Sequence, residues 1–455
     1  MSAFPACTDT DPAASTAEDE AVRRLGRLIA CPTVSSHDPG AIDESAFARF
    51  RDEILPSLYP RVHERLELEH VAPSGLLYRW RGRSDADPSV LMSHYDVVPA
   101  DASAWKHPPF CGEVHDGELW GRGALDTKLT LCAVLEAVES GLAEGFEPAN
   151  DIYLSFAGDE EVIGETAPRI VDRLESRGIR PALVLDEGGA VLSGVFPGIP
   201  GPAAMIGVAE KGMMDLELTV HGRGGHASAP PRHTAAGRLA RAVIRAERRR
   251  MRPRLTRTVR AMLAGFAPHA PFPMRLAVRV LRSAGPVGAR ILSFGGRQLG
   301  AAVRTTVAFT MLEGSPQANV LPSAARAVAN IRILQGDTIE KAIARIRRAV
   351  RDPGVSFAVL QGNEPSPESP ADSDAWRKVR DATARIWPDA PAIPYLMTAC
   401  TDARHFCRLS QHVFRFSPME ITQEQLATIH NADERVSTAA VAKCIAFYRA
   451  LIRSL

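Results

Sequence analysis

The chain has 455 residues, 45% of them hydrophobic and 24% charged, which is too long for one core and leads to an expectation of two domains. A formal net charge of +1 excludes a general nucleic-acid binder, and no apolar run is long enough to span a membrane. Seven Cys without CxxC spacing, and no basic-then-apolar signal pattern at the start, point to free thiols and a cytoplasmic protein.

In chain order, residues 1–16 read as a disordered leader. Helical periodicity with acids in the first turn covers residues 18–30, and a second helix is expected near residues 44–58. Residues 77–81 predict an edge strand. Ser89-Val90-Leu91-Met92 predicts a central one that closes in a turn at His94-Tyr95-Asp96. The Trp105 to Phe110 loop reads as packed aromatics. A helix is expected over residues 128–140. Strands over residues 151–157 and 182–185 end in Gly158-Asp159-Glu160-Glu161 and Asp186-Glu187-Gly188-Gly189. The register then changes near Gly207. Residues 212–221 alternate as a half-exposed strand, followed by a helix at 234–250 and strands at 304–312 and 319–334. A helix at 337–350 and a strand at 355–360 complete a βαββαβ unit. Inside it, no Asp or Glu occurs between Glu247 and Glu313, while Arg recurs through apolar residues 272–281 and 287–294. This tract reads either as a basic amphipathic insertion able to meet a membrane or an acyl chain, or as a solvated Arg face over an ordinary packed helix. His430 stands just before a last helix.

His94 and Asp96 follow a strand's C-terminal end, where open α/β sheets place ligand sites. Their spacing leaves Asp96 free to orient the imidazole from behind. Asp126 follows Gly121-Arg122-Gly123 and opens a helix. Two His and several carboxylates without Cys suit zinc, cobalt or manganese. Singly, each has an ordinary alternative: a hydrogen-bonded His, a helix-capping Asp, a solvated Glu pair.

The runs HYDVVP (94–99), GRGALDTK (121–128), GDEEVIG (158–164), DEGG (186–189) and IHNADE (429–434) resemble, in order, the M20 family of di-zinc metallopeptidases and aminoacylases. The likeness extends from about Val22 to the last helix. It is nearest to the carboxypeptidase S and N-fatty-acyl amino acid hydrolase branch, on DEGG, Asp402-Ala403-Arg404-His405-Phe406 and Phe414-Arg415-Phe416-Ser417-Pro418.

The resemblance implies an α/β protein in two parts. A mixed-sheet catalytic domain with helices on both faces would span residues 1–206 and 363–455. An inserted α+β, ferredoxin-like lid or dimerisation domain would span 207–362, with the basic insertion near 251–302. Two divalent metal ions are implied, zinc with cobalt or manganese as alternatives. His94 and Asp186 would hold one, Glu161 and His430 the other, with Asp126 bridging. Glu160 would be the general base and Asp96 the partner of His94. His226 matches a lid histidine that reaches a partner subunit's site, Asn319 the asparagine that works with it, and Arg332 an arginine that clamps a substrate carboxylate. Where relatives have Gly-Gly-Thr-Asp this chain has Ala399-Cys400-Thr401-Asp402, so Cys400 and Thr401 would shape a narrower substrate pocket. The implied activity is hydrolysis of an amide beside a free carboxylate, in a dipeptide, a peptide C-terminus or an N-acyl amino acid, by a homodimer. The alternatives are the reverse condensation of a fatty acid with an amino acid, and a non-catalytic metal-binding scaffold.

Overall fold

The structure, a computed structural model, describes residues 16–194 and 201–455, and the expected leader lies outside them up to residue 15. The chain forms two compact units. Unit 1 comprises residues up to 86, 91–170 and 418–455; unit 2 comprises 87–90 and 171–417.

Unit 1 begins with the helix Ala17–Ile29, started by a capping box between Thr16 and Asp19 and by three acids in its first turn. It packs on Lys128–Ala143, which also meets Thr438–Ile452. That double cover explains why Lys128–Ala143 is apolar nearly all round. Lys128 itself is fully buried, and its Nζ donates to Leu28 O at 2.9 Å and Cys31 O at 2.6 Å. A cation thus closes the negative end of the first helix. The helix expected near 44–58 is present as Glu44–Arg49, a π turn over Phe50–Ile54, and Leu55–Leu58.

The unit's strands are β1 (Glu67–Val71), β2 (Gly75–Trp80), β3 (Ser84–His94, apart from residues 87–90) and β4 (Asn150–Ala157), in the order β1-β2-β4-β3. The strand expected at an edge, β2, is internal. β1 pairs with it from Glu67↔Arg79 to Val71↔Gly75, and β4 covers its other side. The charged pattern Glu67-Leu68-Glu69-His70 suits an exposed edge and hides β1 from an apolar-periodicity reading.

Unit 2 has its own mixed set of strands, with a small inserted sheet between them in sequence. β5 (Leu183–Ser193) pairs antiparallel with β6 (Pro202–Glu210). β5 was expected to stop at residue 185. It continues, so Asp186-Glu187-Gly188-Gly189 lies within the strand, not after it. Gly189 permits this: a Cβ there would sit 1.7 Å from Met205 O.

The inserted sheet has β7 (Gly212–His221), β8 (Thr306–Glu313), β9 (Ala324–Ile333) and β10 (Val355–Asn363), all antiparallel, in the order β8-β9-β7-β10. With helices Ala235–Arg248 and Ile339–Val350 this is the expected βαββαβ, ferredoxin-like order. On β7, Met214, Leu216, Leu218 and Val220 face the helices and form the core with Leu239 and Ile346. The strand expected over 319–334 is broken at Pro322 into Val320–Leu321 and β9. The main sheet resumes with β11 (Ala392–Met397), parallel to β6, and β12 (Val413–Ile421), which runs on into unit 1; within unit 2 the order is β5-β12-β6-β11.

The basic tract is helical: Arg257–Phe266, Phe272–Ser283, Gly285–Leu292 and Arg297–Ala302. Its first helix lies on β11, where Val259, Met262, Leu263 and Phe266 bury against Met205, Ile393 and Leu396.

Candidate metal centre

In unit 1, β3 delivers His94 at its last position, where the side chain is buried. Its Nδ1 is 3.0 Å from Asp96 O and 3.3 Å from Asp96 Oδ1, and its Nε2 lies 3.2 Å from Asp126 Oδ1. The fully buried Asp96 also accepts Glu160 N–H on Oδ1 at 3.2 Å and Glu161 N–H on Oδ2 at 3.1 Å. One carboxylate therefore aims both the imidazole and the Glu160-Glu161 turn.

Asp126 ends a turn whose Gly123 has φ +90, and a Cβ there would meet Val97 at 2.9 Å. The turn is held from behind by Glu434, which accepts the N–H groups of Gly123, Leu125 and Asp126 at 3.2, 2.7 and 3.1 Å. His430, in the left-handed region at φ +61, places Nε2 3.0 Å from Asp126 Oδ2 and 3.1 Å from Glu161 Oε2.

The hydrogen bonds to Asp126 and then Glu161 push the His430 imidazole up to about 10. Burial alone would raise the Asp126 carboxyl, yet its bonds to His430 and His94 outweigh this and hold it well below the usual range. Burial raises the Glu161 carboxyl. The donor set fits a divalent ion. His94, Asp126 and Glu161 offer ligand atoms all within 4.8 Å of one another, and the buried Glu161 Oε1 has no hydrogen-bond partner.

Of the expected ligands only Asp186 belongs to unit 2. It is buried in β5, its Oδ2 accepting Ala403 N–H at 2.8 Å and its Oδ1 accepting Glu187 N–H at 2.9 Å. His226 and Asn319 come together at a small two-stranded antiparallel ladder: Gly225–His226 pairs with Val320–Leu321, and Ala227 N–H donates to Asn319 O at 3.0 Å. The His226 ring is exposed, with Nδ1 2.7 Å from Ser228 Oγ. Arg332, on β9, donates through Nε to Asn330 Oδ1 at 3.1 Å and through Nη1 to Cys400 Sγ at 3.5 Å. Cys400 in turn donates to Lys211 O at 3.2 Å. Thr401 is turned elsewhere: its N–H and hydroxyl both reach Glu210 Oε2, at 3.2 and 3.1 Å, beside Arg415 Nε at 3.3 Å from the same oxygen.

Sequence reasoning assigned no role to Arg122, Glu434, Glu210, Lys211 or Arg415. Arg415 had a signal, a lone cation between Phe414 and Phe416 in an apolar strand. Its full burial and its ion pair with the equally buried Glu210 account for it.

The model of peptidase family M20/M25/M40 matches residues 90–454. A probable carboxypeptidase S-like 2 of Dictyostelium discoideum is 34% identical over 96% of this chain and 85% of its own length. The N-fatty-acyl-amino acid synthase/hydrolase PM20D1 of Xenopus tropicalis is 34% identical over 95% and 85%. Human carnosine dipeptidase 1 superposes with TM-score 0.70 at 16% identity, covering 96% of both chains. An M20 family metallo-carboxypeptidase of Sulfolobus solfataricus gives TM-score 0.70 at 17% identity, covering 96% and 99%. A family match over most of the chain, on a fold shared with solved members, makes this chain a member of peptidase family M20/M25/M40, a hydrolase of amide bonds.

Proposed function

We propose that the substrate is an amide next to a free carboxylate, in a dipeptide, a peptide C-terminus or an N-acyl amino acid. The observation that carries this reading is the Asp126 carboxylate, contacted on its two oxygens by His94 and His430, with Glu161 beside the second. His94, Asp126, Glu161 and His430, with Asp186 from its DEGG motif, would hold two divalent ions, zinc or else cobalt or manganese. When bound, such ions supply positive charge that lowers the pKa of a water and polarises a carbonyl.

The chain's own groups do the rest. Asp96 holds the His94 ring through Nδ1, leaving Nε2 toward Asp126. The Glu160 carboxylate takes a proton from the attacking water and returns it to the leaving nitrogen. His226, beside Asn319, donates to the oxygen of the scissile carbonyl as charge develops there. Arg332 offers a planar fork to the substrate carboxylate, and Cys400, 3.5 Å from that fork, narrows the space around it.

The inserted sheet with its two helices, Ala235–Arg248 and Ile339–Val350, would form the lid, and a homodimer would form through it. In support, Met311 and Leu312 on β8 and Val359 and Leu360 on β10 are large apolar side chains half or more exposed, or nearly so. A reducing compartment, the cytoplasm, suits the six described Cys, all unpaired. The reverse reaction, joining an acyl chain to an amino acid, is a second reading, favoured by likeness to a synthase/hydrolase. The test is a screen of zinc-, cobalt- and manganese-loaded protein against dipeptides and N-acyl amino acids, with product analysis at high amine concentration. Metal-dependent release of a free amino acid is expected. No cleavage of any carboxylate-bearing amide would overturn the proposal.

A further inference from the structure

The helices Phe272–Ser283 and Gly285–Leu292 form a pair within unit 2, tightly joined where Gly288 meets Leu281 O; a Cβ there would come within 2.2 Å of that oxygen. Each helix has an inward face that accounts for its place in the fold. Val278 and Leu292 are buried in the cluster on β6 and β11, with Met274 and Leu281 packed against it. Each also has an outward apolar stripe that packing does not account for. Phe272, Leu276 and Val280 recur at i, i+4 and i+8, and Val287, Ile291 and Phe294 at i, i+4 and i+7, the last just past the helix end. All six are more than half exposed, Phe272 at 79% and Phe294 at 72%. A globular surface scatters such residues singly and seldom sets six of them on neighbouring helices.

The charge around the stripes is of one sign. Arg275, Arg279, Arg282, Arg290 and Arg297 are exposed in the same stretch, and no Asp or Glu occurs from residue 248 to 312. We propose that this helical pair is a docking surface for an anionic lipid bilayer. The two stripes enter the boundary between headgroups and acyl chains, and the arginines lie on the lipid phosphates with their stems along the apolar layer. The pattern selects a bilayer over a second copy of the chain. Symmetric self-pairing would set this basic patch against itself, and the tract has no acid to answer it. A bilayer offers an apolar phase and negative charge together. No helix among the described residues is long and apolar enough to cross a membrane, so contact of this kind is peripheral. The proposal does not rest on the catalytic reading, since none of its residues belongs to the metal centre.

The experiment is flotation of the full chain with vesicles of phosphatidylcholine alone, and of phosphatidylcholine with phosphatidylglycerol, at low and high salt. Binding about tenfold or more stronger to the anionic vesicles, and weakened by salt, is expected. Two variants separate the contributions, both at exposed positions where folding is undisturbed. Phe272→Ser with Phe294→Ser should abolish flotation at every salt concentration. Arg279→Gln with Arg290→Gln should remove the preference for anionic lipid. Failure of the intact protein to float with anionic vesicles would overturn the proposal, as would flotation unchanged in both variants. If instead the Phe pair's substitution dissolves an oligomer, seen by light scattering, and leaves flotation as it was, the surface belongs to a second copy and the proposal is wrong.

Discussion

Arg122 and Glu434 stand 312 positions apart, yet Arg122 Nη1 donates to Glu434 Oε2 at 2.6 Å with both side chains sealed from water. The same carboxylate accepts three N–H groups from the turn that presents Asp126. Glu434→Ala would leave a buried guanidinium and those donors unanswered, at a cost of about 3–5 kcal/mol. Urea unfolding of the metal-free protein measures this, and titration with zinc should also show weaker retention. A loss under about 1 kcal/mol would mean that the turn stands without its clamp.

Glu160→Gln should keep its metal and lose turnover by about 10²–10⁴-fold, because the amide reproduces the shape but cannot carry the proton. Elemental analysis alongside kcat decides the matter. Near-normal turnover with full metal content would remove Glu160 from the role of base.

Asp126→Ala should lower metal content and activity together, since one carboxylate faces both imidazoles. Two tightly held ions and an ordinary rate in this variant would reduce Asp126 to the residue that opens the helix.

His226→Ala should depress kcat by about 10²–10³-fold with metal content unchanged, as expected of a donor to charge that develops only in the transition state. If His226 acts across a dimer, subunits carrying His226→Ala mixed with subunits carrying Glu160→Gln should regain part of the activity. Confirmed mixed dimers that stay inactive would confine His226 to its own subunit.

Lys211 gives a prediction in pH. Its ammonium is buried in unit 2, with Nζ donating to Arg304 O at 2.9 Å and Ala301 O at 3.2 Å. Burial first, then Arg332 and Arg304, push it down from 10.5 to about 7, against weaker opposite pulls from Cys400 and Asp337. The folded value lies below the unfolded one, so between about pH 7 and 10.5 the unfolded chain binds the extra proton. Stability contributed by this group rises with pH through that window, by at most about 1.4 kcal/mol per pH unit. Below about pH 7 both states are protonated and the full penalty of the buried charge stays constant. Unfolding measured at about pH 7 and about pH 9 should show Lys211→Met losing that rise. Equal pH dependence in the two proteins would contradict it.

The candidate metal centre was legible because its residues sit at strand and turn ends, where motif and geometry coincide: His94 closes β3, and Glu160 and Glu161 follow β4. What the chain hid has physical causes. β1 is mostly polar because it is an edge, so nothing marked β2 as internal. Asp186 falls inside β5 because antiparallel pairing with β6 carries the strand beyond its most apolar residues. Glu434 and Arg122 form a pair across most of the chain, and no local periodicity encodes such a contact. Lys211 and Arg415 are charges inside apolar elements, readable as exceptions but not as partners of Ala301, Arg304 and Glu210. The basic tract was legible as amphipathic helix, whereas its anchorage on β11 depends on Ile393 and Leu396, more than a hundred positions after Leu263.

Ribosomal synthesis meets the residues of the candidate centre in a telling order. The emerging polypeptide displays His94, Asp126 and Glu161 early, while His430 and the Glu434 that steadies the Asp126 turn arrive about three hundred positions later. Until residues 430–434 have been made, the trio lacks a second imidazole beside it and the carboxylate that backs its turn. The Asp126 turn therefore gains its backing only after the last segment of unit 1 has been made and has folded onto it.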